Sequence, residues 1–239
     1  MTPFKPKNQK QVVIIMGAPG SGKGTQATLV SDRLSLYYLE TSKLLEAAFN
    51  SPKTKSVIGA DGKRYLMAAE KKIWLSGRLN SMPFTLSLIS EKIKRVFEGG
   101  DGLLLAGSPR RVSEAELLMP FLTKLYGKQN IRTVLLEISA KESIFRNSHR
   151  KLCTLMRHPI LYSRENAKLN YCPIDGSKLV ARKGLDDPKT IRIRLETYKQ
   201  ETLPIVDYLK KNKFSVKKIN GMPAPAVVFN NILKSLGER

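Results

Sequence analysis

The fold is decided by the stretch Val12-Val13-Ile14-Ile15-Met16-Gly17-Ala18-Pro19-Gly20-Ser21-Gly22-Lys23-Gly24-Thr25. Its apolar first part predicts a buried strand, its glycine-rich part predicts a tight turn, and helix-forming residues follow. Glycines let backbone N–H groups curl around phosphate oxygens, and the N-terminus of the next helix adds positive potential. Lys23 would reach the terminal phosphates as a point charge. This order is typical of a phosphate loop and predicts a nucleotide-binding site.

The length and composition limit the class of protein to which this chain can belong. With 239 residues, 41% of them hydrophobic, the chain can form one large domain or a core with small insertions. No apolar run approaches the ~20 residues of a membrane span. Residues 1–10 are polar and lysine-rich, without the apolar segment of a signal peptide. Two cysteines favour a reducing compartment. We therefore expect a cytoplasmic protein with no membrane partner.

The chain is strongly basic. Its 42 Lys and Arg residues against 20 Asp and Glu residues give a net charge of +22. The lysines are scattered in short clusters, and no run reaches the length typical of a basic tail. The charge has two interpretations: a solvated basic surface, which we favour, or contact with RNA or another polyanion.

Strand and helix patterns alternate along the chain. Apolar segments predict strands at residues 12–16, 37–39, 103–106, 133–138 and 214–219. Helical patterns cover residues 23–34, 41–50, 65–76, 84–97, 113–126, 140–152, 188–211 and 224–236. This alternation predicts an α/β fold with a parallel five-stranded sheet flanked by helices. Residues 153–187 break the rhythm with both cysteines and many cations, and predict an inserted subdomain or lid.

Further motifs carry a resemblance to a known family. After the phosphate loop come Thr41-Ser42-Lys43-Leu44-Leu45, Gly107-Ser108-Pro109-Arg110, the pair Arg146 and Arg150, and Asp186-Asp187 with Arg192-Ile193-Arg194-Leu195. In this order, around a lid-sized insertion, the motifs make the chain resemble the long-lid adenylate kinases over nearly its whole length. The resemblance implies a phosphate-loop NTPase core at residues 11–40, 81–152 and 188–239. It also implies a basic tail at 1–10, a nucleoside monophosphate (acceptor) insertion at 41–80 and a lid at 153–187.

The resemblance also implies residue roles. An ATP site would comprise Gly20, Ser21, Gly22, Lys23, Gly24, Thr25, Arg146 and Arg150. The acceptor site would comprise Thr41, Gly107, Arg110, Arg182 and Arg194. The catalytic set would be Lys23, Arg110, Arg150, Arg182 and Arg194. Arginine suits phosphoryl transfer, because its planar fork binds phosphate oxygens bidentately and stays charged.

The sequence departs from the family on the acceptor side. Lys43 and Glu46 stand where the family has an aspartate and a phosphate-gripping arginine. Glu114 replaces the adenine-reading glutamine, and Ala106 replaces an aspartate that helps to organise magnesium. Residues 50–76 are about eleven residues longer than the family's segment, which predicts a remodelled acceptor domain. The missing cation would come from Lys63, Arg64, Lys71, Lys72 or Arg78.

The lid carries a possible metal-binding pattern. Cys153 and Met156, then Cys172 and Asp175, have the spacing of the family's zinc-bearing lids. Met156 offers only a thioether in place of a thiolate, and His158 is an alternative fourth ligand. The other interpretation is two small buried hydrophobic residues and a turn aspartate. We do not favour zinc and assign the chain no metal-ligating residues.

Two functions remain open. The favoured one is a nucleoside monophosphate kinase that moves the terminal phosphoryl group of ATP, with Mg²⁺, to AMP or another acceptor. The other is a catalytically weak ATP-binding protein that docks on RNA or a ribosome-like particle through its basic surface. The ordered set of arginines favours the enzyme, for which we expect a monomer.

Overall fold

A parallel five-stranded sheet forms the centre of the molecule. The computed structural model describes residues 10–52, 54–157, 159–181 and 186–238. The central strands are β1 (Val12–Gly17), β2 (Tyr37–Glu40), β5 (Leu103–Ala106), β6 (Ile131–Glu137) and β10 (Ser215–Asn220). They lie in the order β10-β6-β1-β5-β2, and every neighbouring pair is parallel. The predicted fold class is confirmed, and the phosphate loop follows the middle strand.

Helices cover both faces of this sheet, because successive buried residues of its strands point to opposite faces. The flanking helices are α1 (Lys23–Leu34), α4 (Met82–Glu98), α5 (Val112–Tyr126), α6 (Ala140–Ser148), α8 (Pro188–Thr197), α9 (Ile205–Lys211) and α10 (Pro225–Leu236). Ile14 of β1 belongs to the core beneath α4, α5 and α9, and Ile15 belongs to the core beneath α1 and α10. Both side chains are fully buried. The strand is therefore held rigidly where it meets the loop.

Residues 41–80 form the first excursion from the core. They contain α2 (Thr41–Phe49), β3 (Ser56–Ile58), β4 (Arg64–Leu66) and α3 (Met67–Leu75). The predicted helix over residues 65–76 is wrong at its start, because Tyr65 pairs with Val57 in the antiparallel β3–β4 hairpin. Phe49 stacks on Phe84 of α4 with ring centroids 6.1 Å apart, which fastens this segment to the core. The hairpin lies within residues 50–76, the stretch that is longer than the matching segment of the family.

The second excursion follows α6. It contains β7 (Lys151–Cys153), β8 (Pro159–Ile160), α7 (Arg164–Ala167) and β9 (Leu179–Val180), and the strands form a small sheet in the order β8-β7-β9. The predicted helix over residues 140–152 is too long, because residues 151–153 pair with both neighbouring strands.

The long helix predicted over residues 188–211 is interrupted. A π-helical turn spans Tyr198–Thr202, and the Leu203 N–H donates to the Tyr198 carbonyl at 2.8 Å. Pro204 then lacks an N–H, and α9 begins after it. Within the residues that the structure describes, no helix is both long and apolar enough to cross a membrane.

Candidate active site

The phosphate loop joins β1 to α1, which begins at Lys23. The Lys23 ammonium donates to the carbonyl oxygens of Gly17 at 2.7 Å and Ala18 at 2.8 Å. Gly20 has φ +76°, and a Cβ there would lie 2.5 Å from Asn147 Nδ2. Only glycine fits this position without a shift of the neighbouring side chain. The loop thus curls around the lysine ammonium.

The other predicted donor-site residues follow the same loop. Ser21 is buried, and Gly22 has φ +91° immediately before α1. Gly24 and Thr25 lie in the first turn of α1, where backbone N–H groups have no carbonyl partner within the helix. These N–H donors and the helix dipole make the loop suited to bind an anion.

Three predicted catalytic arginines surround Lys23. Burial lowers the pKa of Lys23 well below its usual value, and the positive charges of Arg110, Arg194 and Arg150 lower that pKa further. The structure therefore brings together cations from the loop after β5, from α8 and from the segment after α6. Arg182 lies outside the described residues, and its role stays a prediction. This concentration of positive charge favours the binding of several phosphate groups at once.

Arg146 and Arg150 point to different partners. Arg146 donates to the Gly221 carbonyl, after β10, at 3.0 Å. Arg150 forms an ion pair with the buried Asp186 at 2.5 Å. The two arginines do not lie on one helix, because α6 ends at Ser148. Arg150 instead lies between the phosphate loop and the start of α8.

A second, polar pocket lies beside the loop. It has an empty volume of about 270 Å³, which includes open solvent, and is lined by Thr41, Leu45, Leu79, Asn80, Thr85, Ser108, Arg110, Arg111 and Glu114. Arg110 Nε donates to the Gly107 carbonyl at 2.6 Å, and Thr41 Oγ1 donates to Ser108 Oγ at 3.0 Å. Gly107 has φ +92°, and a Cβ there would lie 3.0 Å from Arg110 Nη2. The predicted acceptor residues Thr41, Gly107 and Arg110 thus lie together.

Glu114 lies in the wall of this pocket and is 3% exposed. Its Oε2 accepts the Arg110 backbone N–H at 2.8 Å, whereas its Oε1 has no hydrogen-bond partner among the described residues. Arg111 and Asn80 also line the pocket, and sequence patterns did not single them out. Arg111 Nη1 donates to the Asn80 carbonyl at 2.7 Å, a contact across 31 residues that no local pattern signals.

The charge of Glu46 is compensated from an unexpected direction. Its Oε1 lies 2.9 Å from Nη1 of Arg157, a residue of the second excursion. That the missing phosphate-binding cation comes from Lys63, Arg64, Lys71, Lys72 or Arg78 stays a prediction. Lys43 pairs instead with Glu40 at 3.4 Å. The partners Glu46 and Arg157 are 111 residues apart, so their pairing has no signal in the local sequence.

The two cysteines meet in the second excursion. Ligand atoms of Cys153, Cys172 and Asp175 lie within 4.8 Å of one another. The Cys153 thiol donates to Asp175 Oδ2 at 3.0 Å. Met156 is 64% exposed, and His158 lies outside the described residues. The described residues thus supply three zinc-compatible ligands, one fewer than a closed tetrahedral site uses.

Two adjoining sites with cations between them define a class of protein. A phosphate loop at the carboxyl end of a central strand is suited to bind nucleotide phosphates, and Arg110, in the neighbouring pocket, lies close enough to lower the pKa of the loop lysine. This is the arrangement of a phosphate-loop phosphotransferase with two substrates.

Comparison with known proteins narrows this class. The family model described as adenylate kinase matches residues 15–214. The adenylate kinase of Clostridium botulinum (strain Loch Maree / Type A3) is 30% identical over 226 residues, covering 94% of this chain and 98% of that protein. The adenylate kinase of Chlamydia muridarum (strain MoPn / Nigg) is 31% identical over 230 residues, covering 95% of this chain and 87% of that protein. The chain belongs to the adenylate kinase family of nucleoside monophosphate kinases.

Proposed function

We propose that this enzyme transfers the terminal phosphoryl group of ATP to AMP and forms two molecules of ADP. The observation that carries the proposal is the convergence of Arg110, Arg150 and Arg194 on Lys23, at the junction of the phosphate loop and the acceptor pocket. AMP is the acceptor because the relatives are named adenylate kinases. The arginine cluster supports transfer rather than mere ATP binding, for which the loop alone would suffice.

In this proposal the residues act mainly by positioning charge. Lys23 and the loop N–H groups hold the donor phosphates, while Arg146 and Arg150 lie on the donor side. Arg110 clamps the acceptor phosphate beside Thr41 and Gly107. A phosphate oxygen of AMP attacks the γ-phosphorus of ATP. The bond between the γ-phosphorus and the oxygen that bridges to the β-phosphorus then breaks, so ADP leaves. Arg150, Arg194 and, by family resemblance, Arg182 stabilise the charge on the moving group.

Mg²⁺ enters this proposal bound to ATP. The Thr25 hydroxyl, on the first turn of α1, has the placement that suits a ligand of such an ion. Ala106 replaces the family's aspartate, is 3% exposed and packs in the core, so its side chain supplies no oxygen. Phosphates and water supply most magnesium ligands in such sites, so the remaining residues fit the ion. When bound, it neutralises charge on the β- and γ-phosphates.

We further propose residues 41–80 as the acceptor-binding insertion and residues 153–187 as a lid, with the remainder as the core. Closure of both over the core would exclude water from the transferring group. Cys153 and Cys172 form no disulfide with each other, which suits a reducing, cytoplasmic compartment. Monomeric state stays a prediction.

A docking role on RNA is not favoured. The lysine clusters lie on different elements: Lys71-Lys72 on α3, Lys210-Lys211 at the end of α9, and Lys217-Lys218 on β10. Lys218 is paired with Glu137 at 2.8 Å. These clusters support a solvated basic surface rather than one continuous path for a nucleic acid backbone.

An Arg110→Ala variant tests the proposed division of labour. We expect kcat/KM for AMP to fall by about a hundredfold or more, because a charge-stabilising contact is lost. ATP affinity should change little, because the loop and Lys23 remain. Arg95→Ala on α4 is the control, since that exposed arginine pairs with Glu91 in its own helix. An unchanged transfer rate in Arg110→Ala would remove the acceptor role of this residue.

A further inference from the structure

A buried acid lies behind the acceptor pocket, outside its lining. Glu70 of α3 is 3% exposed and is not among the residues that line the pocket. Its Oε2 accepts hydrogen bonds from Asn80 Nδ2 at 2.8 Å and from the Ser81 backbone N–H at 3.0 Å. Asn80 Nδ2 also donates to the Glu70 carbonyl at 2.7 Å. Both amide hydrogens of Asn80 are therefore directed to Glu70.

Packing alone does not explain an acid at this position. Glu70 shares a face of α3 with Met67 and Trp74, which pack in an apolar cluster with Phe84. A polar side chain in such surroundings costs stability unless it is hydrogen-bonded, and an apolar residue would not carry that cost. What the acid supplies is a fixed arrangement of the residues that donate to it.

The residues that Glu70 holds belong to one wall of the acceptor pocket. Residues 79–81 lead into α4 without forming a helix or a strand, and Leu79 and Asn80 line the pocket. Ser81 is the N-cap of α4, so its N–H has no carbonyl partner within the helix. Irregular backbone has no regular hydrogen-bond pattern of its own, so the position of this wall depends on contacts such as those with Glu70.

The same segment orients an arginine of the pocket. Arg111 Nη1 donates to the Asn80 carbonyl at 2.7 Å, and Arg111 Nη2 donates to the Leu79 carbonyl at 3.2 Å. Arg111 Nε also lies 3.7 Å from a carboxylate oxygen of Glu201, in the π-helical turn of the core. A continuous series of contacts thus runs from Glu70 through Asn80 to Arg111 and on to the core.

We propose that Glu70 is a positioning residue for acceptor binding. The inference rests on the proposed acceptor role of the pocket. Glu70 holds residues 79–81 in their binding arrangement before the acceptor arrives, so the acceptor does not have to order this wall. Without Glu70, the cost of ordering the segment would offset part of the binding free energy. Lys23 and the phosphate loop belong to other elements, so donor binding does not depend on Glu70.

Calorimetric binding of AMP, combined with steady-state kinetics, tests this proposal. Glu70→Ala removes the accepting oxygen, whereas Glu70→Gln keeps an oxygen that can accept from Asn80 and Ser81. Glu91→Ala is the matched control, because it removes a glutamate of α4 whose side chain is 61% exposed. The AMP Kd, the ATP Kd, kcat, the KM for AMP and the amide hydrogen exchange of residues 79–81 would be measured for each protein, below the Tm of every variant.

We expect Glu70→Ala to raise the AMP Kd and the KM for AMP about tenfold, with kcat and the ATP Kd within about twofold of wild type. Amide exchange at residues 79–81 should be faster in free Glu70→Ala than in wild type and should slow when AMP binds. Glu70→Gln and Glu91→Ala should resemble wild type. Glu70→Asp, whose shorter side chain reaches Asn80 and Ser81 poorly, should show the same rise and carries the test if Glu70→Ala does not fold.

Two results would overturn the proposal and leave the acceptor role of the pocket standing. One is a lower Tm of Glu70→Ala with an unchanged AMP Kd, because Glu70 would then act on stability alone. The other is a fall in kcat as large as the rise in the KM for AMP. Absence of AMP binding to wild type would overturn the acceptor role itself, and this inference with it.

Discussion

Lys23 shows how strongly the charge of one side chain depends on what the loop holds. In the free enzyme its ammonium is buried among cations, which lowers its pKa, and loop carbonyls are its hydrogen-bond partners. A bound phosphate would reverse this balance, because an adjacent anion favours the charged form of a lysine. The loop therefore holds Lys23 in place, and a bound phosphate would raise the pKa of Lys23 again.

Replacing Lys23 tests this point. We expect Lys23→Ala to reduce kcat/KM for ATP by at least about a hundredfold, because both a fixed cation and a phosphate contact are lost. Lys94→Ala is the control, since Lys94 is exposed on α4 and pairs with Glu98. Normal ATP affinity and turnover in Lys23→Ala, measured by calorimetry and a coupled assay, would refute the phosphate-loop assignment.

Among the elements, the strands of the second excursion are held together by a cluster of thiols and a carboxylate. Asp175 accepts hydrogen bonds from Cys153 and from both the N–H and the hydroxyl of Ser177. These bonds, with that of Cys153 contributing most, lower the pKa of Asp175. The ionised carboxylate therefore stabilises the second excursion above the ordinary pKa of an aspartate, and this contribution is lost as the pH falls through the lowered value.

We expect the lid to need this hydrogen-bonded cluster and no zinc. Asp175→Ala should lower the Tm at pH 7, whereas Asp32→Ala, on the exposed side of α1, should not. A chelator should leave the Tm of wild type unchanged, and elemental analysis should find no stoichiometric zinc, because three ligands and an exposed thioether make a poor site. A full equivalent of zinc, with loss of stability on chelation, would contradict this account.

Across the whole molecule, the pair of Glu46 and Arg157 joins the two excursions from the core. Glu46 belongs to α2. Arg157 belongs to the segment between β7 and β8, 111 residues later in the sequence. Their side chains are 31% and 46% exposed. A partly exposed ion pair of this kind is worth at most about 1 kcal/mol and weakens as salt is added.

A double-mutant cycle measures that coupling. Glu46→Gln and Arg157→Gln should each raise the KM for AMP by about two- to fivefold, because each removes the ion pair between the two excursions. The double variant should be no worse than either single one, and the effect should shrink in 1 M salt. Additive losses that do not respond to salt would show that the two residues act separately.

Local patterns predicted the parts of this protein that local forces determine. The strand–loop–helix of residues 12–34 and the position of Arg110 followed from apolar runs, glycines and motif order. The hairpin at Tyr65, the end of α6 and the break before Pro204 did not, since strand pairing and a π-helical turn override helical periodicity there. The free oxygen of Glu114 and the Glu46–Arg157 pair needed the fold, because their surroundings come from distant segments.

The central claim is that this molecule transfers phosphoryl groups between two nucleotides. The most direct test is ADP formation from ATP with AMP, GMP, CMP or UMP in a coupled assay, with and without Mg²⁺. The account predicts rapid, magnesium-dependent turnover with AMP. Tight ATP binding without turnover on any of the four acceptors would contradict it.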